Sequence, residues 1–146
     1  MAKRPDQYLN QKMQESTELF APELIASPYH ELNAVFNRDF TEFYFARRGV
    51  PQKPSTLMVC RYIQGQWQTP EVLSVSGQYD DIDMMLINDD HSLIFCSNRP
   101  LTSGEAPLPY HNFWITQRTS TGWAEPELFA PKALSEQEDF YPIVTR

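Results

Sequence analysis

The chain has 146 residues, of which 41% are hydrophobic, 13% aromatic and 21% charged, a globular balance that excludes disorder and a coiled coil. Twelve Lys and Arg against nineteen Asp and Glu leave a net charge of −7, which argues against a nucleic-acid-binding surface. No run of about 18 apolar residues is present, so no membrane span is expected.

Residues 1–16 read as a polar N-terminal segment, and Asp6–Ser16 is the only stretch with a helical period. Met1–Glu15 lacks the apolar stretch of a secretory signal. As written the chain therefore reads as cytoplasmic, with a periplasmic or secreted location the alternative if a signal was removed. Residues 17–146 read as one β domain. Leu19-Phe20-Ala21-Pro22-Glu23-Leu24-Ile25 introduces a motif that returns with a tryptophan as Gly65–Leu73 and Gly122–Phe129. Tyr29–Phe45 can be laid without a gap on Tyr79–Phe95, fifty positions later. The acid, the apolar run, the turn Asp and the closing aromatic all coincide. Strands are expected at Asn33–Phe36 and Asp83–Ile87, at Glu42–Ala46 and Leu93–Cys96, and at Leu57–Ile63 and Phe113–Gln117. The Trp-x-x-Pro-Glu stretch is a fourth. Glu138–Val144 starts a third copy. Cys60 and Cys96 lie in apolar strands and read as buried free thiols, not as a disulfide framework. Four short strands repeating at about 50 residues are the signature of a β-propeller blade.

These residues resemble the TolB-like (WD40-like, Pro-Asp repeat) propeller family. Phe36–Phe40 and Leu86–Asp90 stand at its Ser-Pro-Asp-Gly turn, and Phe43-Tyr44-Phe45 and Leu93-Ile94-Phe95 form its next strand. Ser97-Asn98-Arg99 follows the second copy, and Asn112-Phe113-Trp114 is similar to its Asp-Ile-Trp strand. The resemblance covers Leu19 to Arg146. It implies an all-β fold of β-propeller blades with four antiparallel strands each. Two blades are complete and partial blades flank them, an incomplete propeller. Phe40 and Asp90 replace the turn glycine, so these turns are built without a residue that enters φ > 0 freely, and Asp90 tolerates the left-handed region better than Phe40. Family members carry about six blades, and one copy of this chain cannot close such a ring. Part of a larger propeller is expected, with self-assembly into a homo-oligomer second.

Glu31, Asp81 and Asp139 occupy equivalent positions before the innermost strands, with His30 and Asp80 beside two of them. On strands lining a channel they would ring its mouth with negative charge and attract a ligand or a basic partner. The alternative is architectural, each acid accepting N–H bonds in the turn between blades. Asp80, Asp81, Asp83, Asp89 and Asp90 can be read as a calcium site, but an EF-hand loop needs a central Gly and a Glu at its twelfth position. No cofactor or metal is expected, calcium being the one alternative. Paired carboxylates can hydrolyse glycosides, yet no feature here separates an acid from a base. There is no Gly-x-Ser-x-Gly, and His30, His91 and His111 have no nucleophile partner, so no catalytic residue is assigned. Arg47-Arg48 and Arg99 are expected to bridge strands. Trp67, Trp114 and Trp123 are expected to pack between blades. The Pro-rich loop Arg99–His111 has no counterpart in the first copy, and Tyr110 and His111 are its candidates for partner contact.

The functional expectation is a non-catalytic binding or scaffolding module that recognises a protein or small ligand at the channel mouth. The resemblance implies partner binding, often in the periplasm or outside the cell. The alternative is a glycoside- or peptide-processing propeller enzyme, or a truncated remnant of one.

Overall fold

Each copy of the repeat folds as an antiparallel meander. A computed structural model describes residues 19–49, 54–129 and 139–143. A short helix α1 (Pro22–Ile25) precedes β1 (His30–Phe36), β2 (Glu42–Arg48), β3 (Thr56–Ile63), β4 (Gln66–Trp67) and β5 (Glu71–Val72). The second copy supplies β6 (Asp81–Ile87), β7 (Ser92–Ser97), β8 (Asn112–Thr119), β9 (Gly122–Trp123) and β10 (Glu127–Leu128). The result is two antiparallel five-stranded sheets. The first runs β1-β2-β3 with β4 and β5 both on β3, and the second runs β6-β7-β8 with β9 and β10 both on β8.

The fifty-residue offset holds pair by pair. Glu31, Leu32, Val35 and Phe36 face Arg47, Ala46, Tyr44 and Phe43. Asp81, Ile82, Met85 and Leu86 face Ser97, Cys96, Ile94 and Leu93. Both ladders skip the same two residues, Asn33-Ala34 and Asp83-Met84, in a bulge. Asn33 and Asp83 are left-handed there, with φ of 47° and 49°. Short polar side chains tolerate that region, and the extra residue returns the strand to register. This bulge also explains a difference from expectation. The acids lie inside β1 and β6, not before them, because the strand continues through the apparent break. At the following turns Phe40 and Asp90 are left-handed, with φ of 57° and 67°. In the first turn, Asn37 Oδ1 accepts the N–H groups of Thr41 and Glu42.

The fourth strand is not one strand but two short pieces. Pro70 and Pro126 lack an N–H, which interrupts the ladder between β4 and β5 and between β9 and β10. At each gap a side chain reaches the carbonyl left over. The Cys60 thiol donates to Gln68 C=O, and the Thr116 hydroxyl donates to Ala124 C=O. The motif at Leu19–Ile25 likewise forms no strand. Pro22 presets the first helical position, and the Leu24 and Ile25 N–H groups bond Ala21 C=O. The expected helix at Asp6–Ser16 and the acid Glu138 lie outside the described residues.

Alternation along β2 divides the apolar residues between two layers. Tyr44 and Ala46, with Leu57, Val59 and Leu73, pack against Ile82, Met84, Leu93, Phe95, Trp114 and Trp123 of the second sheet. Phe43 and Phe45, with Met58, Cys60 and Trp67, point the other way and are covered by Phe20, Leu24 and Ile25. Trp67 and Trp123 thus serve equivalent faces. Phe20 meets Trp67 edge-on at 5.4 Å, and Tyr44 meets Trp123 at 6.4 Å. Both cysteines are buried and neither is in a disulfide, and burial pushes the Cys60 thiol up to about 11.

Candidate functional site

Of the residues expected at a channel mouth, Asp80 and Asp81 are drawn into the joint between the sheets. Ser55, just before β3, anchors it. Its N–H donates to Asp80 Oδ1 at 2.6 Å, and its hydroxyl accepts Arg48 Nε at 3.2 Å. Its carbonyl accepts the Asp81 N–H at 3.1 Å. Asp80 Oδ2 lies 3.1 Å from His111 Nε2, and the Asp80 N–H donates to Asn98 Oδ1 at 2.9 Å. The His111 bond, with the Ser55 amide, holds the Asp80 carboxyl at about 2, below the usual carboxylate range.

Asp81 is fully buried. Ser76 Oγ donates to its Oδ2 at 2.6 Å, and Arg99 NH2 donates to its Oδ1 at 3.0 Å. Burial pushes this carboxyl up, opposed by the Arg99 charge. Arg99 also donates to Ser97 Oγ and Val75 C=O, each at 3.0 Å. Its guanidinium lies 4.8 Å from the ring centre of Phe95, 5.4 Å from Trp114 and 5.5 Å from Tyr79. The first copy repeats this clamp closer to solvent. Glu31 takes Arg47 Nε at 3.0 Å and the Ser27 hydroxyl, while Arg47 NH2 reaches Ile25 C=O at 3.0 Å. In both copies an arginine from the second strand, or just past it, ties the acid to a carbonyl of the preceding connection. The arginines therefore bridge strands as expected.

Asp139 continues the pattern. Its N–H donates to His111 C=O at 3.2 Å, as that of Asp81 does to Ser55 C=O. Tyr141, two residues on, is left-handed at φ 54°, matching Asn33 and Asp83. The Tyr141 N–H lies 3.4 Å from Asp83 Oδ2, whose carboxyl is pushed up by burial.

Of the candidate residues, Asp80, Asp81 and His111 come together with the Asp139 backbone. Glu31 is closed on Arg47, and His30 is exposed at the start of β1. Tyr110 is half-buried. His111 is turned inward, its ring 5.6 Å from that of Phe140. The five acids of the calcium reading do not converge. Asp89 and Asp90 sit past the far end of β6, where they bind Arg38. Among the described residues no cluster of three His, Cys, Asp or Glu side chains is arranged to hold a metal ion, and no helix is long and apolar enough to cross a membrane.

A second polar group was not foreseen. Arg118 of β8 crosses to the first sheet, where NH2 donates to Glu42 Oε2 at 2.8 Å and to Tyr44 Oη at 3.1 Å. Its Nε bonds Asp90 C=O at 3.0 Å, and its guanidinium sits 4.5 Å over Trp123. The Tyr44 hydroxyl donates to Glu42 at 2.8 Å, and burial raises its pKa. Two clefts of about 510 and 500 Å³ flank this group, the first lined by Thr41, Tyr62 and His91, the second by Ser74, Thr119 and Thr121. Register pairing makes Tyr62 and Arg118 equivalent, as it does Glu42 and Ser92. The available signal was thus a charge present in one copy and missing from the other. No family model, curated protein or solved structure matches the chain.

Proposed function

We propose that the chain is a non-catalytic binding or scaffolding module of the TolB-like propeller type, its two sheets corresponding to two adjacent blades. The observation that carries this reading is the repeated clamp. Glu31 and Asp81 are each bonded to an arginine of their own unit, Arg47 and Arg99 at 3.0 Å, and to a serine of the connection before it. A carboxylate closed in this way ties its strand to the connection before it, and a fully buried one has no access to substrate. The enzyme reading needs two accessible carboxyl groups with separated pKa values facing one pocket. Asp80 and Asp81 are pushed apart in opposite directions, but Asp81 is sealed and Asp80 accepts a backbone amide. That arrangement favours architecture.

The test is a panel of chromogenic glycosides and fluorogenic peptides, incubated with the full chain and with Asp80→Asn. No turnover above a heat-denatured control is expected from either. Turnover that Asp80→Asn abolishes, with its circular dichroism unchanged, would sink the reading.

A further inference from the structure

The cleft of about 500 Å³ beside Arg118 lies where the end of β5 meets the β8–β9 turn. Its walls come from β2 and from the continuous described stretch 54–129. They are built by departures from the repeat. Register pairing makes Arg118, Thr119 and Gly122 the equivalents of Tyr62, Ile63 and Gln66. An aromatic, an aliphatic and a long side chain thus give way to an arginine, a hydroxyl and no side chain. A Cβ on Gly122 would lie 3.7 Å from Ser74 Oγ, so glycine keeps the space between them open. Among the described residues, the charged side chains of the wall are Arg61, Arg118, Glu42 and Glu71. They form one row without net charge. Glu71 bonds Arg61, Arg61 Nε lies 3.6 Å from Glu42, and Arg118 NH2 lies 2.8 Å from Glu42. Arg61 NH2 and the Ser74 and Ser120 hydroxyls have no hydrogen-bond partner among the described residues.

We propose that this cleft binds a neutral saccharide, of mono- or disaccharide size, through Arg61, Glu71 and the hydroxyls of Ser74 and Ser120. The volume falls within the range of about 300–1,000 Å³ usual for small-molecule sites. The charges choose against ions. An anion would compete with Glu71 for Arg61 and approach a chain of net charge −7, and a cation would have to draw a glutamate off its arginine. A sugar hydroxyl both donates and accepts, so it adds to the row and leaves the ion pairs in place. Its hydrogen bonds to guanidinium and carboxylate are the stronger, charge-assisted kind. Val72, 52% exposed on the same wall, offers an apolar patch to the C–H groups of the ring. Trp123 offers no open face, because the Arg118 guanidinium sits 4.5 Å over its ring. Affinity therefore comes from polar contacts alone and lies in the millimolar range. The inference rests on the binding-module reading and names a ligand class for it.

The probes are glucose, maltose, cellobiose and lactose, with glucuronate and glucosamine as charged counterparts, each titrated against the full chain by NMR. At least one neutral sugar should saturate with a Kd of about 1 mM, moving amide resonances in 71–74 and 118–123. The charged sugars should bind about fivefold more weakly, the cost of opening one half-exposed ion pair. Arg61→Met removes donors and Ser74→Tyr fills the cleft from an exposed position. Each should weaken binding about tenfold with circular dichroism unchanged. Ser103→Tyr, in the exposed part of the 99–111 loop, should leave it as it is. An absence of saturable binding by every neutral sugar overturns the proposal, as do shifts confined to other segments. So do indifference of either folded cleft variant, an equal loss in Ser103→Tyr, and tighter binding of a charged sugar. A silent titration beside a catalytically silent chain removes the saccharide site alone. Turnover lost in Asp80→Asn removes the module reading whatever the cleft binds.

Discussion

One chemical change made at two equivalent clamps should have unequal cost. Asp81→Asn and Glu31→Gln each remove a carboxylate charge and keep a side-chain amide of the same shape. The Asp81 and Arg99 side chains are 0% and 7% exposed, whereas those of Glu31 and Arg47 are 22% and 21% exposed. Removing one partner of a buried pair leaves the other charge uncompensated, at about 3–5 kcal/mol. The lower end applies to Asp81, because burial already disfavours its ionised form and Arg99 keeps Val75 C=O, Ser97 Oγ and three aromatic rings. A more solvated pair is worth about 1 kcal/mol or less. With a urea dependence of about 2 kcal/mol per molar, the midpoint should fall by about 1.5 M for Asp81→Asn and by less than about 0.5 M for Glu31→Gln. Equilibrium unfolding followed by the buried tryptophans reads both. Adding Arg99→Met to Asp81→Asn should recover about 1 kcal/mol, since the thioether suits a site between Phe95 and Trp114 and leaves no orphan charge. Equal midpoint shifts, or no recovery in the double variant, would refute the argument that burial sets the cost.

The pH dependence has a definite sign. The Asp80 carboxyl is lowered from 3.8 to about 2, so its contribution is complete above about pH 4 and is lost as the pH falls toward 2. That fall in pKa is worth about 2 kcal/mol. The gap in urea stability between wild type and Asp80→Asn should shrink by about that amount between pH 6 and pH 2.5, and a constant gap would contradict it. Asp81 and Asp83 are raised and act with the opposite sign, which is why the difference between variants is the quantity to follow. Phe40→Gly should gain up to about 1 kcal/mol by relieving a left-handed phenylalanine, less what its ring loses against Phe36 at 5.9 Å. Asp90→Gly should gain less, and the reverse order in thermal midpoints would be a failure. The Asn112 side chain is 1% exposed and neither amide atom has a hydrogen-bond partner among the described residues, so Asn112→Leu should be neutral or stabilising by about 1 kcal/mol. A destabilised Asn112→Leu chain would show that the amide is used.

The strand pairing was legible because Tyr29–Phe45 and Tyr79–Phe95 align without a gap, and an antiparallel register depends only on the spacing of its turn. The strand starts were not. Asn33 and Asp83 resemble breakers, but as left-handed bulge residues they keep the strand going. The Pro-Glu-Leu motif looks the same at Pro22 and Pro126, yet Pro22 has no preceding strand to pair with among the described residues and closes a helical turn instead. At the candidate site, the bridging role of Arg47 and Arg99 could be expected from their place after a strand. The Glu42–Arg118 pair could not, because its members lie 76 residues apart and each occurs in one copy only.

That last contrast separates what the repeat preserves from what it varies. Features present in both sheets, the bulge, the acid–arginine clamp and the side chain on the carbonyl after each Trp, serve the unit itself. Tyr62 stacks on Trp67 at 5.3 Å, and its equivalent Arg118 stacks on Trp123 at 4.5 Å, so the change from Tyr to Arg keeps the packing role. What it adds is a charge facing Glu42, which belongs to the other sheet. A sheet of the first kind stacked on another of its kind would oppose Glu42 with Tyr62 and leave the half-buried carboxylate with Arg61 of its own sheet, 3.6 Å away, as its one arginine among the described residues. Arg118 and Glu42 thus add to this joint a charge pair that the repeat itself does not carry, beside the Ser55–Asp80 and Arg38–Asp89 contacts across the same two sheets.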